Sequence, residues 1–260
     1  MSLLGVAGQA VWFCGIWFRR GLRMEDADYS LLDVVLDKLD EQGRVEVLDR
    51  MVLAGTTRSK VQDAEAVSEL FQDAFEAEEG EAGGSQSGYL LVYPEACVAV
   101  LEGPGGLLTR AVRRLQAAVA GGDGPVAQWV VVAATEDIPY RRFSGWLKSF
   151  IKSGGQGEEV YDDNDKAEVC AEKSSEVNLD LLEFGRKLSG MSAHEVEHVT
   201  HKPKVRQDLA RLLPTANTLT GLVESTVITT LDEFCDIFDR PVDIVLDDEL
   251  AWPAPQRLQI

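Results

Sequence analysis

At 260 residues the chain has room for one domain with appendages or for two small domains, and its 45% hydrophobic and 27% charged residues suffice for a real core. With 44 Asp and Glu against 25 Lys and Arg, the formal charge is −19. A surface that acidic repels nucleic-acid phosphates and anionic lipid headgroups, which sets both aside as partners and otherwise favours solubility.

Residues 1–24 form an apolar N-terminal segment: between Leu3 and Phe18 only Gln9 is polar, and Arg19, Arg20 and Arg23 follow. The run is short for a bilayer span of ~20 residues. It lacks the basic start and small-residue cleavage site of a secretory leader. The expectation is a segment that buries Trp12, Phe13, Trp17 and Phe18 in a groove, of this protein or of a partner.

A helix follows over residues 25–43, with Leu31, Leu32, Val35, Leu36 and Leu39 at three- and four-residue spacing and Gly43 at its end. Residues 45–54 read as a strand broken by Gly55-Thr56-Thr57, and residues 62–77 as a helix with Ala66, Leu70, Phe71 and Ala74 on one face. An acidic, Gly-rich connector leads to two apolar runs, 88–93 and 98–101, joined by Pro94-Glu95-Ala96. Both runs are apolar on alternate and intervening positions alike. The sheet they build is therefore covered on both faces, by this chain or by this chain and a partner.

Gly103 supplies a turn, Pro104 suits a first helical position, and Leu107, Leu108, Ala111, Val112 and Leu115 make one stripe of a helix that Gly121 and Gly122 stop. Residues 126–134 are a buried strand and residues 147–151 a short fifth one. The order strand–helix–strand–strand–helix–strand is the ferredoxin-like plan, an α+β fold with a mostly antiparallel sheet and two helices on one face, here spanning residues 44–152.

Residues 153–177 are rich in Gly, Ser and acids and read as a linker. A helical C-terminal extension occupies residues 178–260. Asn178 is a cap for Leu179, Leu182, Phe184 and Leu188, and Thr230 is a cap for Leu231, Phe234, Cys235 and Phe238. A small hairpin over 242–252 and a stiff Trp252-Pro253-Ala254-Pro255 tail close the chain. Trp252 and Pro253 are expected to anchor another protein, in preference to covering the sheet. Cys14, Cys97, Cys170 and Cys235 are far apart with no CxxC pair, the pattern of buried, reduced thiols.

His194-Glu195-Val196-Glu197-His198 matches H-E-x-x-H, in which two histidines four apart on a helix bind zinc and the glutamate is the general base; His201 would be a third ligand. The flanks lack the apolar support that buries such a helix, and Pro203 interrupts it. All three histidines of the chain fall in this polar stretch, so a solvated turn or helix end is expected, with no metal. Gly103-Pro104-Gly105-Gly106 has no GxxxxGK[ST] pattern, and the acids of residues 158–165 lack the Gly and closing Glu of an EF-hand.

Gly88-x-Leu90, Val100-Leu101-Glu102-Gly103-Pro104 and Arg142-Phe143-x-x-Trp146 together resemble the signature of BLUF domains, the flavin-based blue-light sensors, over about residues 45–152. The hairpin, Asp137-Ile138-Pro139, Arg240-Pro241-Val242-Asp243-Ile244 and the WPAP tail are similar to the testis-expressed protein 47 family of ciliated organisms. In BLUF sensors a strand-one Tyr bonds a strand-three Gln that faces the flavin, and an Asn on the first helix fixes the ring edge. Here Met51-Val52-Leu53-Ala54-Gly55 holds no Tyr, Ala99 stands where the Gln would, no Asn precedes Asn164, and Lys148 replaces a usual Met.

The resemblance thus implies a binding fold without cofactor or catalysis. It implies a structural or adaptor component of the ciliary or flagellar axoneme, docked on a large scaffold protein of the central apparatus. The acidic charge argues against contact dominated by tubulin, itself acidic. The alternatives are a flavin-binding light or redox sensor and, second, a zinc hydrolase.

Overall fold

The computed structural model describes residues 31–44, 46–58, 64–76, 86–122, 124–152 and 167–238. Trp12, Phe13, Trp17, Phe18, Trp252, Pro253 and the C-terminal hairpin lie outside them. The chain divides into two compact units, Met1–Glu46 and Val47–Ile260. The first contributes helix α1, Leu31–Glu41. It ends as its sequence predicts. Gly43 adopts φ +65, its N–H donates to the Asp40 carbonyl (3.0 Å), and the Arg44 N–H donates to that of Leu39 (2.8 Å), a Schellman motif.

The second unit runs β1 (Asp49–Thr57), α2 (Glu65–Glu76), β2 (Ser87–Val92), β3 (Ala96–Gly103), α3 (Gly105–Gly121), β4 (Val126–Thr135) and β5 (Trp146–Phe150). Then come α4 (Ala167–Ser189), α5 (Ala193–His201), α6 (Gln207–Ala210), α7 (Ala216–Glu224) and α8 (Leu231–Phe238). The sheet order is β4-β1-β3-β2-β5. Its first four members are antiparallel neighbours, and β5 runs parallel to β2. This is the ferredoxin-like arrangement with one strand added.

Strand alternation sorts the core into two layers. Met51, Leu53, Leu90, Ala99 and Leu101 face α2 and α3, together with Leu231 and Cys235 of α8. Val52, Ala54, Tyr89, Leu91, Val98 and Val100 face the other way, onto Val177, Leu181 and Phe184 of α4, Val199 of α5 and Leu219 and Leu222 of α7. The second layer is thus made by this chain's own C-terminal helices. No helix among the described residues is long and apolar enough to cross a membrane. Cys97, Cys170 and Cys235 are buried.

Three boundaries differ from the sequence reading. Strand β1 runs on through Gly55-Thr56-Thr57, expected to break it, because those residues pair with β3 and β4 on either side. The linker expected over residues 153–177 gives way to helix at Ala167, and Asn178 lies inside α4 rather than capping it. The buried face of α4 is Cys170, Ser174, Val177, Leu181, Phe184 and Leu188. Its first turns carry a thiol and a hydroxyl where a periodicity search looks for large apolar groups. The C-terminal helices are also no separate extension, since an uncovered second sheet face would leave a full apolar layer in water. Helix α7 was not foreseen, its stripe being diluted by threonines and a glycine. Thr215 caps it, its Oγ1 accepting from the Thr218 N–H at 3.1 Å. Thr230 caps α8 as expected, in a reciprocal box with Glu233 (Glu233 N–H to Thr230 Oγ1, 3.2 Å; Thr230 N–H to Glu233 Oε2, 2.9 Å).

Gly88 opens β2 where two backbones nearly touch: a Cβ there would lie 2.0 Å from the Val100 carbonyl oxygen. Backbone paired on both sides cannot retreat. Gly88→Ala is expected to cost about 3 kcal/mol, seen as a lower urea midpoint; an unchanged midpoint would contradict the close approach.

Candidate functional site

Two places on the sheet carry side-chain chemistry worth weighing as sites. The first lies under α2 and α3, where the resemblance puts a flavin. Ala99, fully buried, is flanked in register by Leu53 of β1 and Leu90 of β2, so the row across the sheet is entirely apolar. Above it Phe71 of α2 packs edge-on against Trp129 (centroids 5.6 Å) and tilted against Trp146 (5.3 Å), and Phe75 meets Trp146 at 5.7 Å. The indole N–H groups of Trp129 and Trp146 and the Ser68 hydroxyl are buried there without a hydrogen-bond partner.

These residues do not fit an isoalloxazine. Its polar edge needs donors and acceptors side by side, and each group buried unpaired costs about 1–3 kcal/mol. The row offers methyl groups, and two of the three orphan donors belong to rings that already fill the space. Lys148 sits in β5 at the edge and pairs with Glu65 of α2, both side chains being exposed.

The second place is a buried charge. Glu102 is fully buried and Arg50 is 8% exposed. In register, Glu102 has Arg50 on one side and Ser87 on the other. Its carboxylate accepts from Arg50 Nε (2.7 Å), Ser87 Oγ (3.3 Å) and the backbone N–H groups of Arg142 (2.9 Å) and Phe143 (3.2 Å). Arg141 Nη1 donates to the Glu102 carbonyl at 2.9 Å. All the acceptor directions of the carboxylate are used, so it has nothing left for a substrate. Its effect is to bind the loop between β4 and β5 to the end of the sheet. The sequence reading met Glu102 as part of a turn signature and missed its burial; an acid closing an eight-residue apolar strand was the available signal.

The H-E-x-x-H residues do form a helix, α5, with His194, His198 and His201 exposed. Glu195 is committed to its N-terminus, accepting from the Ser192 N–H (2.9 Å) and hydroxyl (2.7 Å), while Ser192 Oγ accepts from the Glu195 N–H (3.4 Å). Those hydrogen bonds hold its carboxyl below the ordinary glutamate value. Among the described residues no group of three or more His, Cys, Asp or Glu is placed to hold a metal.

A family model described as testis-expressed protein 47 matches residues 47–240. The chain belongs to that family. The testis-expressed protein 47 match begins where the second compact unit does and takes in both helical layers, which agrees with their forming one body. Solved structures with some likeness include BlrP1 BLUF, at 16% identity and TM-score 0.31 over 41% of this chain and 65% of that one. BlrB, a BLUF protein in its dark state, gives 20% and 0.28 over 41% and 74%. A bacterial light-regulated adenylyl cyclase gives 14% and 0.31 over 61% and 41%. The chain thus spans less than two thirds of the first and last of these. Likeness of that degree says nothing of ligand or activity, and the fold assignment rests on the strand order itself.

Removing one member of a nearly dry ion pair strands the other. Glu102→Ala is expected to cost about 3–5 kcal/mol in urea unfolding. Lys148→Ala, at the exposed pair, should change stability by less than about 1 kcal/mol. Equal effects would show that Glu102 is not buried as described.

Proposed function

We propose that this member of the testis-expressed protein 47 family is a non-catalytic adaptor of the ciliary or flagellar axoneme, docked on a large scaffold protein of the central apparatus. The non-catalytic part is carried by one observation. Where a flavin sensor of the resembled kind would grip its ring, the sheet presents Leu53, Ala99 and Leu90 beneath Phe71 and the two tryptophans. The fold then serves as a rigid body that presents contact surfaces.

Family membership supports the ciliary part. The scaffold contacts assigned here are Trp12, Phe13, Trp17 and Phe18 at one end of the chain and Trp252 and Pro253 at the other, aromatic groups of the kind that dominate interfaces. The net charge of −19 favours a scaffold with basic or apolar strips over the acidic tubulin lattice. Radial-spoke and doublet complexes are the neighbouring locations that the test must separate from the central apparatus.

Crosslinking of isolated axonemes followed by mass spectrometry is expected to join the chain to a large central-apparatus scaffold; an exclusively soluble pool would sink the proposal. Purified full-length protein is expected to be colourless and to leave the spectrum of added FMN or FAD unchanged. A yellow protein that shifts under blue light would instead make it a sensor.

A further inference from the structure

The C-terminal layer carries a surface opposite in sign to the chain as a whole. Residues 186–211 hold six Lys and Arg, all three histidines and three acids, within a chain of formal charge −19. The fold draws these residues together. Lys187 Nζ, in the last turn of α4, donates to the Asp208 carbonyl at 3.3 Å, and Arg206 Nη1 lies 3.9 Å from Met191 Sδ. The turn after α5, with Lys202, Lys204 and Arg206, is thereby held against the end of α4.

The loop between β4 and β5 extends the same surface. A Cβ added to Gly185 of α4 would lie 3.1 Å from the Cβ of Arg142, so that side chain rises beside the helix. Its guanidinium lies 4.7 Å from the ring centre of Tyr140. Cations outnumber the acids within the patch. Glu183 is held below the ordinary carboxylate value chiefly by its hydrogen bond to Arg186, with Lys187 and Arg142 also close enough to act. Asp208 is lowered chiefly by Arg206, with Lys187 adding to it. Tyr140 and Val205, 54% and 59% exposed, supply uncovered apolar area between the charges.

We propose that this surface, centred on Arg142, Lys187, Lys202 and Arg206 with Tyr140 and Val205, docks a short acidic peptide segment of a partner protein. Charge complementarity selects the sign, and the pairing of arginine with exposed tyrosine is of the kind enriched at binding hot spots. The length limit follows from screening. At physiological salt, charges farther apart than ~8 Å largely cease to act on one another, so a short peptide feels the patch. An extended polyanion or an anionic membrane reaches past it onto the acidic remainder. The assignment goes beyond the axonemal reading and stands or falls without it.

The test is fluorescence anisotropy with the full-length protein and a labelled ten-residue glutamate peptide, at low and at physiological salt. Saturable binding that weakens with salt is expected, together with about tenfold or greater loss in Lys187→Glu/Lys202→Glu. Lys202 is exposed, whereas Lys187 is half-buried and its Nζ donates to the Asp208 carbonyl. Circular dichroism checks the fold of the double variant, and Lys202→Glu alone, which leaves that contact in place, is expected to weaken binding in the same direction. Arg113→Glu/Arg114→Glu on α3, across the sheet, changes the net charge equally and should leave binding intact. Three outcomes overturn the proposal: no binding at either salt, equal loss in both double variants, or an RNA twenty-mer that binds as tightly as the peptide.

Discussion

Strands β2 and β3 present apolar side chains to both sides, and this constraint governs the rest of the second unit. Every position from Ser87 to Val92 and from Ala96 to Gly103 is buried. Such a sheet needs a layer above and a layer below. Each large aliphatic or aromatic side chain left in water would forfeit about 1.5–3 kcal/mol, and the face toward α4 carries several. The βαββαβ segment supplies one cover, α2 and α3. The other cover must come from later in the chain or from a partner, and here it comes from α4, α5 and α7. The C-terminal helices are therefore part of the folding unit.

Glu102 turns that layering into one docked geometry. A lone buried carboxylate would be costly, and this one persists because Arg50, Ser87 and two backbone N–H groups all point at it. The N–H donors at Arg142 and Phe143 fix the loop that carries Phe143 into the second layer. Phe143 stacks on Tyr89 with ring centres 5.8 Å apart, and Phe184 of α4 meets Tyr89 at 4.9 Å. Gly185 completes the contact, since a Cβ there would lie 2.8 Å from the Phe143 ring. A chain of contacts thus runs from one carboxylate to the seating of the longest described helix.

On the opposite face the packing closes the place where a chromophore would lie. Ala99, Leu53 and Leu90 form a smooth floor, and Phe71, Phe75, Trp129 and Trp146 occupy the volume under α2. Among the described residues that interior is committed to packed side chains of this chain. Its described exterior combines an acidic body, a basic and aromatic patch on the C-terminal layer, and exposed apolar groups at the end of α8 (Ile237 and Phe238, 65% and 68% exposed).

Much of this was legible in the sequence, because it is encoded within short windows. Continuous apolar runs gave β2 and β3, Gly43 ended α1, Thr230 began α8, and the order of elements implied the ferredoxin-like plan. A missing amide at position 99 was equally plain. Other features depend on partners far away in the chain. Nothing near Glu102 announces Arg50, Ser87 and the Arg142 N–H, which lie 52, 15 and 40 residues from it. The start of α4 was hidden because Cys170 and Ser174 become core residues only when a sheet face is there to receive them. Local backbone preferences and turn chemistry are properties of neighbouring residues, and those the sequence alone determined. Which layer covers which face, what fills the space under α2 and where a buried charge finds its counterparts are long-range choices, and only the tertiary packing decided them.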